Sequence, residues 1–544
     1  MPSAAQQSSV LHLPAGSGCS AEVAPSARWL PTTDATWVVV ALAVVAALSF
    51  LLPIQPEDFW WNMALGRATW QNGHLPAVDT FSYTQPGEPI FVHGWLPQVC
   101  FYLLYTAGGA WLILLVQAAI LTITYGLLLL LCVRRGARPR LAAVLLLVIA
   151  VPLSASNWNV RPQSYALILC VLMLLVLTRW QRQPEPTFWA AFRRDRLWAL
   201  PVLMLLWVNM HGSFVLGGLL IALTFLGEAA RRVLHRWPPR WMDVAAKEGP
   251  LPSLSALFAA GALSAAVIPL NPTGLDIIRF TLACASDPAR RVNSVEWRPP
   301  VVTESDGPVF FAAVVGLLVA LPLARRRPSL VDLLLLAAFF WLGLQGVRYI
   351  VWFPIILVPI LAELLNGPRE ATKSSDVAGE RSPLNLVLVT LAVGLVIALS
   401  PPLKPHWLSG RNRPLFAADT PVAAVEALQE LSLRPQRLFH SCSAGSYLMW
   451  AAPEQGVFLD SRLQDFYRPQ LVADYCALTA GERVPELLAE YRFDGLLLSR
   501  QQHAHLIALM ETMPGWREVY ADATHILLVA KNHADSPPRL AAPR

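Results

Sequence analysis

Charged residues are scarce in this 544-residue chain. Asp, Glu, Lys and Arg make up 14% of it, where soluble domains carry about 25%, and the mean hydropathy is +0.47. That shortage excludes a large soluble enzyme. Cysteines number seven and show no paired spacing, so neither a metal finger nor a disulfide framework is read from them. No glycine-rich phosphate loop occurs in the polar C-terminal part, and no internal repeat is visible. The N-terminus lacks a basic segment followed by a short apolar core, so residues 1–35 read as a disordered cytoplasmic lead and not as a cleaved signal peptide. The net charge of +6 does not indicate nucleic acid, because the positive residues sit in short clusters between apolar runs.

Apolar residues are what is abundant, at 55% of the chain. Thr36 to Ile54 is the first run, close to the roughly 20 residues that cross a bilayer core. Residues 95–107 read as a short helix lying against the membrane, and Gly109–Val133 as the next span. Further runs lie at 141–156, 164–178, 198–210, 213–230, 251–270, 308–324, 329–347, 349–365 and 384–401. The expected fold class is therefore mainly α, a polytopic membrane protein of about eleven transmembrane helices with a C-terminal soluble α/β domain. Basic residues crowd alternate loops, at Arg134–Arg140, Arg179–Arg196, Arg231–Lys247, Arg325–Arg327 and Arg369–Arg381. Such loops face the cytoplasm. The N-terminus is then cytoplasmic, and the loop 55–95 and everything past Pro401 face outward from the membrane. The expected organisation is a membrane domain over 36–401, an extracytoplasmic α/β domain over 402–532 and a disordered tail over 533–544. In the α/β domain, strands are expected at 437–441, 456–460, 495–499, 516–521 and 525–530.

The first outward loop carries Glu57 and Asp58 directly after a span, followed by Trp60, Trp61, Asp79 and His93. Carboxylates at a bilayer edge need a reason to be there, and indoles settle at headgroup depth. Later loops on the same face bring Arg161, Asn209, His211, Asn271, Glu296 and Arg348. This gathering suits glycosyl transfer from a lipid-phosphate sugar. A carboxylate such as Asp58 serves as base or organises a metal, and Arg161 and Arg348 suit the phosphate. Trp60, Trp61, His93, His211 and Glu296 complete the expected substrate site, and Asp58 with His93 could hold a divalent metal ion. Structural roles remain open for each: Asp58 as a helix cap, Asp79 as a turn residue, the histidines as loop fasteners, the arginines as snorkelling cations. The expected partners are membrane lipid, a polyprenyl-phosphate-linked sugar donor and an extracytoplasmic acceptor glycan, lipid or protein. A lipid-linked sugar transporter, a non-catalytic scaffold and a glycan-binding membrane protein are the rival readings.

Several stretches carry a resemblance. Asp58-Phe59-Trp60-Trp61, Gly66-Arg67, Pro76 through Thr84, His93-Gly94-Trp95-Leu96, Arg161-Pro162-Gln163, Asn209-Met210-His211-Gly212 and Glu296-Trp297 occur in order. Gly445-Ser446-Tyr447-Leu448 and Asp460-Ser461-Arg462 follow in the tail. Together they resemble a bacterial group of polytopic proteins related to the GT-C glycosyltransferases. The resemblance implies a catalytic Asp, or Glu-Asp, on the first outward loop, hence Asp58 with Glu57, and a polyprenyl-phosphate sugar as donor. Asn62 and Gly94 depart from the group's pattern.

Overall fold

The computed structural model describes residues 29–182, 187–237, 251–287, 294–304, 306–324, 327–366, 381–407, 415–431 and 434–531. Of the expected disordered ends, 1–28 and 533–544 lie outside these; residues 29–35 are placed, and the first helix already begins at Thr33. Among the described residues, six helices are long and apolar enough to cross a membrane: Thr33–Leu51, Trp95–Arg134, Pro139–Asn157, Gln163–Gln181, Gly212–Arg236 and Val347–Leu365. Shorter apolar helices span Ala199–Met210, Leu254–Leu270, Gly307–Leu323, Leu330–Gln345 and Pro383–Leu399. Every apolar run read from the sequence is helical. The expected break near residue 108 is present as a kink at Gly109, whose φ of 62° and ψ of −159° suit only glycine. The segments that precede the helices, at 57–62, 93–94, 161–163, 211, 294–297 and 348, meet at one end around a single cavity.

The Asp58–Asn72 helix lies at that end and packs against the start of Trp95–Arg134. Contact is close enough that a Cβ on Gly66 would stand 2.0 Å from the Gln98 carbonyl oxygen. Arg67, next in the chain, reaches across to the Met449 and Trp450 carbonyls at 2.9 and 3.1 Å and lies over the Trp450 ring. Lys404, buried, donates to the Phe50 carbonyl at 2.8 Å and so closes the C-terminal end of the first helix.

The C-terminal domain has a four-stranded sheet in the order β1-β2-β4-β3, from Leu438–His440 (β1), Gly495–Ser499 (β2), Trp516–Ala521 (β3) and His525–Ala530 (β4). β1 and β2 run parallel; the other pairs are antiparallel. The strand expected at 456–460 does not join this sheet. It stays extended and pairs instead with the first loop, through a parallel bridge between Ser82 and Val457. The loop and the domain are thereby one packed unit. Tyr83 donates to the Leu438 carbonyl, Thr84 to that of Phe458 at 2.6 Å, and Gln85 to that of Phe466. Beneath this contact lies a buried ionic knot: Arg462 meets Asp460 at 2.6 Å and Asp79 at 2.9 Å, and Tyr467 donates to Asp460 at 2.7 Å. Burial disfavours the charge on Asp460, but Arg462 outweighs it and holds the carboxyl below its usual range.

His440 and His503 are fully buried in the same domain. Burial pushes His440 down to about 4, against a hydrogen bond to the Ser441 carbonyl and the Asp460 charge. Burial, with His440 and His525 nearby, pushes His503 down to about 4. Groups with lowered histidine pKa values stay neutral in the fold while the unfolded chain takes up protons below about pH 6.5. The domain is therefore expected to lose stability as pH falls from 6.5 towards 4. Going from pH 7.5 to 5.5 costs on the order of 1 kcal/mol for each histidine. Thermal unfolding followed at both values checks this, and His503→Gln should flatten the pH slope.

Candidate active site

Four long helices begin around a cavity of about 510 Å³. His93 and Gly94 precede Trp95–Arg134, Arg161 to Gln163 open Gln163–Gln181, His211 precedes Gly212–Arg236, and Arg348 stands in the first turn of Val347–Leu365. Helix N-termini carry partial positive charge, so the hollow favours an anion before any side chain is counted. Glu57, Asp58 and Trp61 supply the wall from the first loop, Ser294 to Trp297 a second, and Cys442, Ser461 and Leu463 of the C-terminal domain a third.

Arg161 is the centre of its electrostatics. Its Nε meets Asp58 Oδ2 at 2.9 Å and its Nη1 meets Glu296 Oε1 at 2.8 Å. Burial opposes the guanidinium charge, but the two carboxylates outweigh it and raise its pKa. Glu296 is correspondingly lowered, with burial opposing and Arg161 and Arg348 prevailing. Glu57 goes the other way: burial, then the Asp58 charge beside it, raise its pKa. Asp58 opens its helix without capping it, since no side-chain cap bond is formed there, and its Oδ1 receives Trp61 Nε1 at 3.4 Å.

The imidazoles and Arg348 occupy the other side. His211 Nδ1 accepts the Ser213 backbone N–H at 3.1 Å, which puts the ring proton on Nε2. Burial, then His93, Arg348 and Arg161, push His211 down to about 3, so it is neutral. Arg348 lies over the Trp297 ring at 4.2 Å, and His93 stacks on Phe280 at 5.1 Å. A more apolar pocket of about 230 Å³ opens from here, lined by Leu216, Phe280, Leu342 and Trp352 and sharing His93, His211, Trp297 and Arg348 with the cavity.

Of the residues singled out in the sequence, Glu57, Asp58, Trp61, His93, Arg161, His211, Glu296 and Arg348 line this one cavity. Two do not. Trp60 is 0% exposed and packs edge-on to Tyr447 at 4.9 Å and against Phe416 at 5.4 Å, both in the C-terminal part. Asp79 is buried in the ionic knot and also accepts the Ser82 N–H and hydroxyl at 2.8 and 2.7 Å, the turn role open to it from the sequence. Asn209 and Asn271 likewise serve the fold: Asn209 accepts from Trp95 Nε1, and Asn271 donates to the Val208 carbonyl. For a metal, Asp58 Oδ2 is already taken by Arg161, and among the described residues no three His, Cys, Asp or Glu side chains form a group that could hold an ion. The described residues do not fit a metal centre.

The departures at Asn62 and Gly94 have local causes. Asn62 donates to the Asp58 carbonyl at 2.7 Å and accepts from Gln98 at 3.0 Å, bracing the turn that carries Asp58. A Cβ on Gly94 would stand 3.1 Å from the Met210 carbonyl oxygen. Sequence reasoning missed Cys442 and Leu463, which carry no signal of their own. Ser461 had one, in Asp460-Ser461-Arg462: its hydroxyl donates to the Glu57 carbonyl at 2.7 Å and pairs with Ser446 at 2.7 Å.

No family model matches the sequence, and no curated protein is similar to it in sequence. In fold the chain is similar to the Archaeoglobus fulgidus oligosaccharyltransferase tethered with an acceptor peptide. The TM-score is 0.52 at 12% identity, over 91% of this chain and 74% of that one. AglB from Archaeoglobus fulgidus, in complex with an inhibitory peptide and a dolichol-phosphate, superposes with a TM-score of 0.51 at 12% identity, over 92% and 75%. ArnT from Cupriavidus metallidurans, bound to undecaprenyl phosphate, gives 0.47 at 15% identity, over 92% and 98%. The archaeal superpositions define the class: a polytopic helical membrane protein of GT-C-like fold, closed at one end by a small α/β domain.

Proposed function

We propose that this protein is a membrane glycosyltransferase, moving a sugar from a polyprenyl-phosphate carrier to an acceptor outside the cytoplasm of a bacterial cell. The observation that carries the reading is the single cavity in which Asp58 and Arg161 face Arg348 and His211, with an apolar pocket leading away from the cationic side. A phosphate needs Arg348 and the His211 Nε2–H, and its apolar tail needs the surface between Phe280 and Trp352. AglB, of the same fold, was captured with dolichol-phosphate, a ligand of that chemistry.

In the proposed step the acceptor hydroxyl oxygen attacks the anomeric carbon, and its proton passes to Asp58. The bond from that carbon to the phosphate oxygen breaks, and the electron pair leaves with the phosphate. Arg348 and His211 stabilise the charge gathering on the leaving group. Arg161 aims Asp58 through their ion pair while Glu296 shares the guanidinium. Trp61 and His93 shape the sugar's surroundings. The positive-inside pattern of the loops supports a cavity and C-terminal domain outside the cytoplasm.

Reconstitution with labelled polyprenyl-phosphate sugars and detection of label on an acceptor tests the reading. Arg348→Ala is expected to raise KM for the donor about tenfold to a hundredfold, the worth of a hydrogen bond to a charged group. An unchanged KM would remove Arg348 from the phosphate site.

A further inference from the structure

A second polar pocket, of about 250 Å³, lies at the helix ends opposite the cavity. Chain direction puts it there. Helices that open at the cavity near Gln163, Gly212 and Val347 run towards this pocket, which Gln181, Arg231 and Glu363 line near their far ends. Four arginines and three carboxylates surround it.

The carboxylates are already engaged. Asp332 meets Arg135 at 2.8 Å through Oδ1 and receives the Ser329 N–H and hydroxyl through Oδ2. Glu363 is divided between Arg135 at 2.9 Å and Arg182 at 3.0 Å. Glu228 takes Arg231 at 2.7 Å and Gln181 at 3.1 Å. Arg327 adds a fourth guanidinium to the lining, and this residue is exposed. Arg182 remains 41% exposed beside it. The pocket thus holds more positive than negative charge, at the level where membrane helices end.

We propose that this pocket binds a phosphate group, of the class carried by an anionic phospholipid headgroup or by inorganic phosphate. Planar guanidinium forks match phosphate oxygens, and basic pockets between helices hold lipid phosphates. Arg327 makes the principal contact, with the exposed part of Arg182 beside it, since Arg135 and Arg231 are largely buried in their carboxylate pairs and Arg182 itself also holds Glu363.

Native mass spectrometry of the full chain in neutral detergent provides the test, with phosphatidylglycerol, phosphatidylcholine and inorganic phosphate offered separately. Phosphatidylglycerol is expected to be retained over phosphatidylcholine, and Arg327→Gln is expected to lower that retention about fivefold, the worth of one near-surface cation. Arg182→Gln is a poorer probe alone, because Arg182 also donates to the Arg134 and Arg135 carbonyls and helps close that helix. Phosphate binding that Arg327→Gln weakens, with no lipid preference, assigns the site to the free anion. Equal retention of both lipids and no phosphate binding, or retention unchanged by Arg327→Gln, overturns the proposal and leaves an ionic fastening of helix ends.

Discussion

Asp58→Asn is expected to slow sugar transfer roughly a hundredfold to ten-thousandfold, the contribution of a positioned base, while donor binding changes by no more than a few-fold. The substitution preserves shape, so the Trp61 and Asn62 contacts around the turn survive. It does not strand a buried cation either, because Arg161 keeps Glu296 at 2.8 Å. What disappears is the proton acceptor. The loss should therefore fall on kcat and leave the lipid-phosphate side, Arg348 and His211, intact. Glu57→Gln separates the two adjacent acids. Glu57 is held by burial towards its protonated form, so its replacement is expected to cost far less. Full-rate transfer by Asp58→Asn would remove Asp58 from the mechanism.

Arg462→Met is expected to destabilise the C-terminal domain by about 3–5 kcal/mol, the cost of removing one partner from a buried ion cluster. Asp79 and Asp460 are both buried, and without the guanidinium two carboxylates would share a dry site. The damage should spread to the first loop, which the same arginine ties down through Asp79. Differential scanning calorimetry should show the drop, and limited proteolysis should cut between residues 74 and 93. Replacing all three groups together (Asp79→Leu, Asp460→Leu, Arg462→Met) is expected to restore much of the stability, since apolar packing can replace a buried ion pair. A melting temperature unchanged by Arg462→Met would mean that the knot contributes nothing to holding loop and domain together.

How much of this was legible from the chain depends on the range of the physics involved. Helices were readable because burial in hydrocarbon selects long apolar runs locally, and the Gly109 break showed as a glycine pair. The gathering of Asp58, Arg161, His211, Glu296 and Arg348 was readable too, because alternating spans return their loops to one face. Which neighbour on a helix faces the cavity was not. Trp60 and Trp61 are adjacent in sequence, and the partners that bury Trp60 are Phe416 and Tyr447, hundreds of residues away. The segment 456–460 has the composition of a strand, but the loop edge around Ser82 captures it before the sheet does. Asp79 carried its own explanation in Asp79-Thr80-Phe81-Ser82, a turn that closes on itself. Cys442 and Leu463 reach the site only because the C-terminal domain folds back over it.

The central claim is that the cavity receives the phosphate of a lipid carrier on its Arg348 side with Asp58 across from it. A cryo-electron microscopy map of the protein in a lipid nanodisc, soaked with a non-hydrolysable polyprenyl-phosphate sugar, tests it most directly. The account predicts phosphate density within hydrogen-bond reach of Arg348 and His211, a tail running past Phe280 and Trp352, and the sugar between Trp61 and Asp58. Lipid density confined to the outer helix surfaces, with the cavity holding only water, would contradict it.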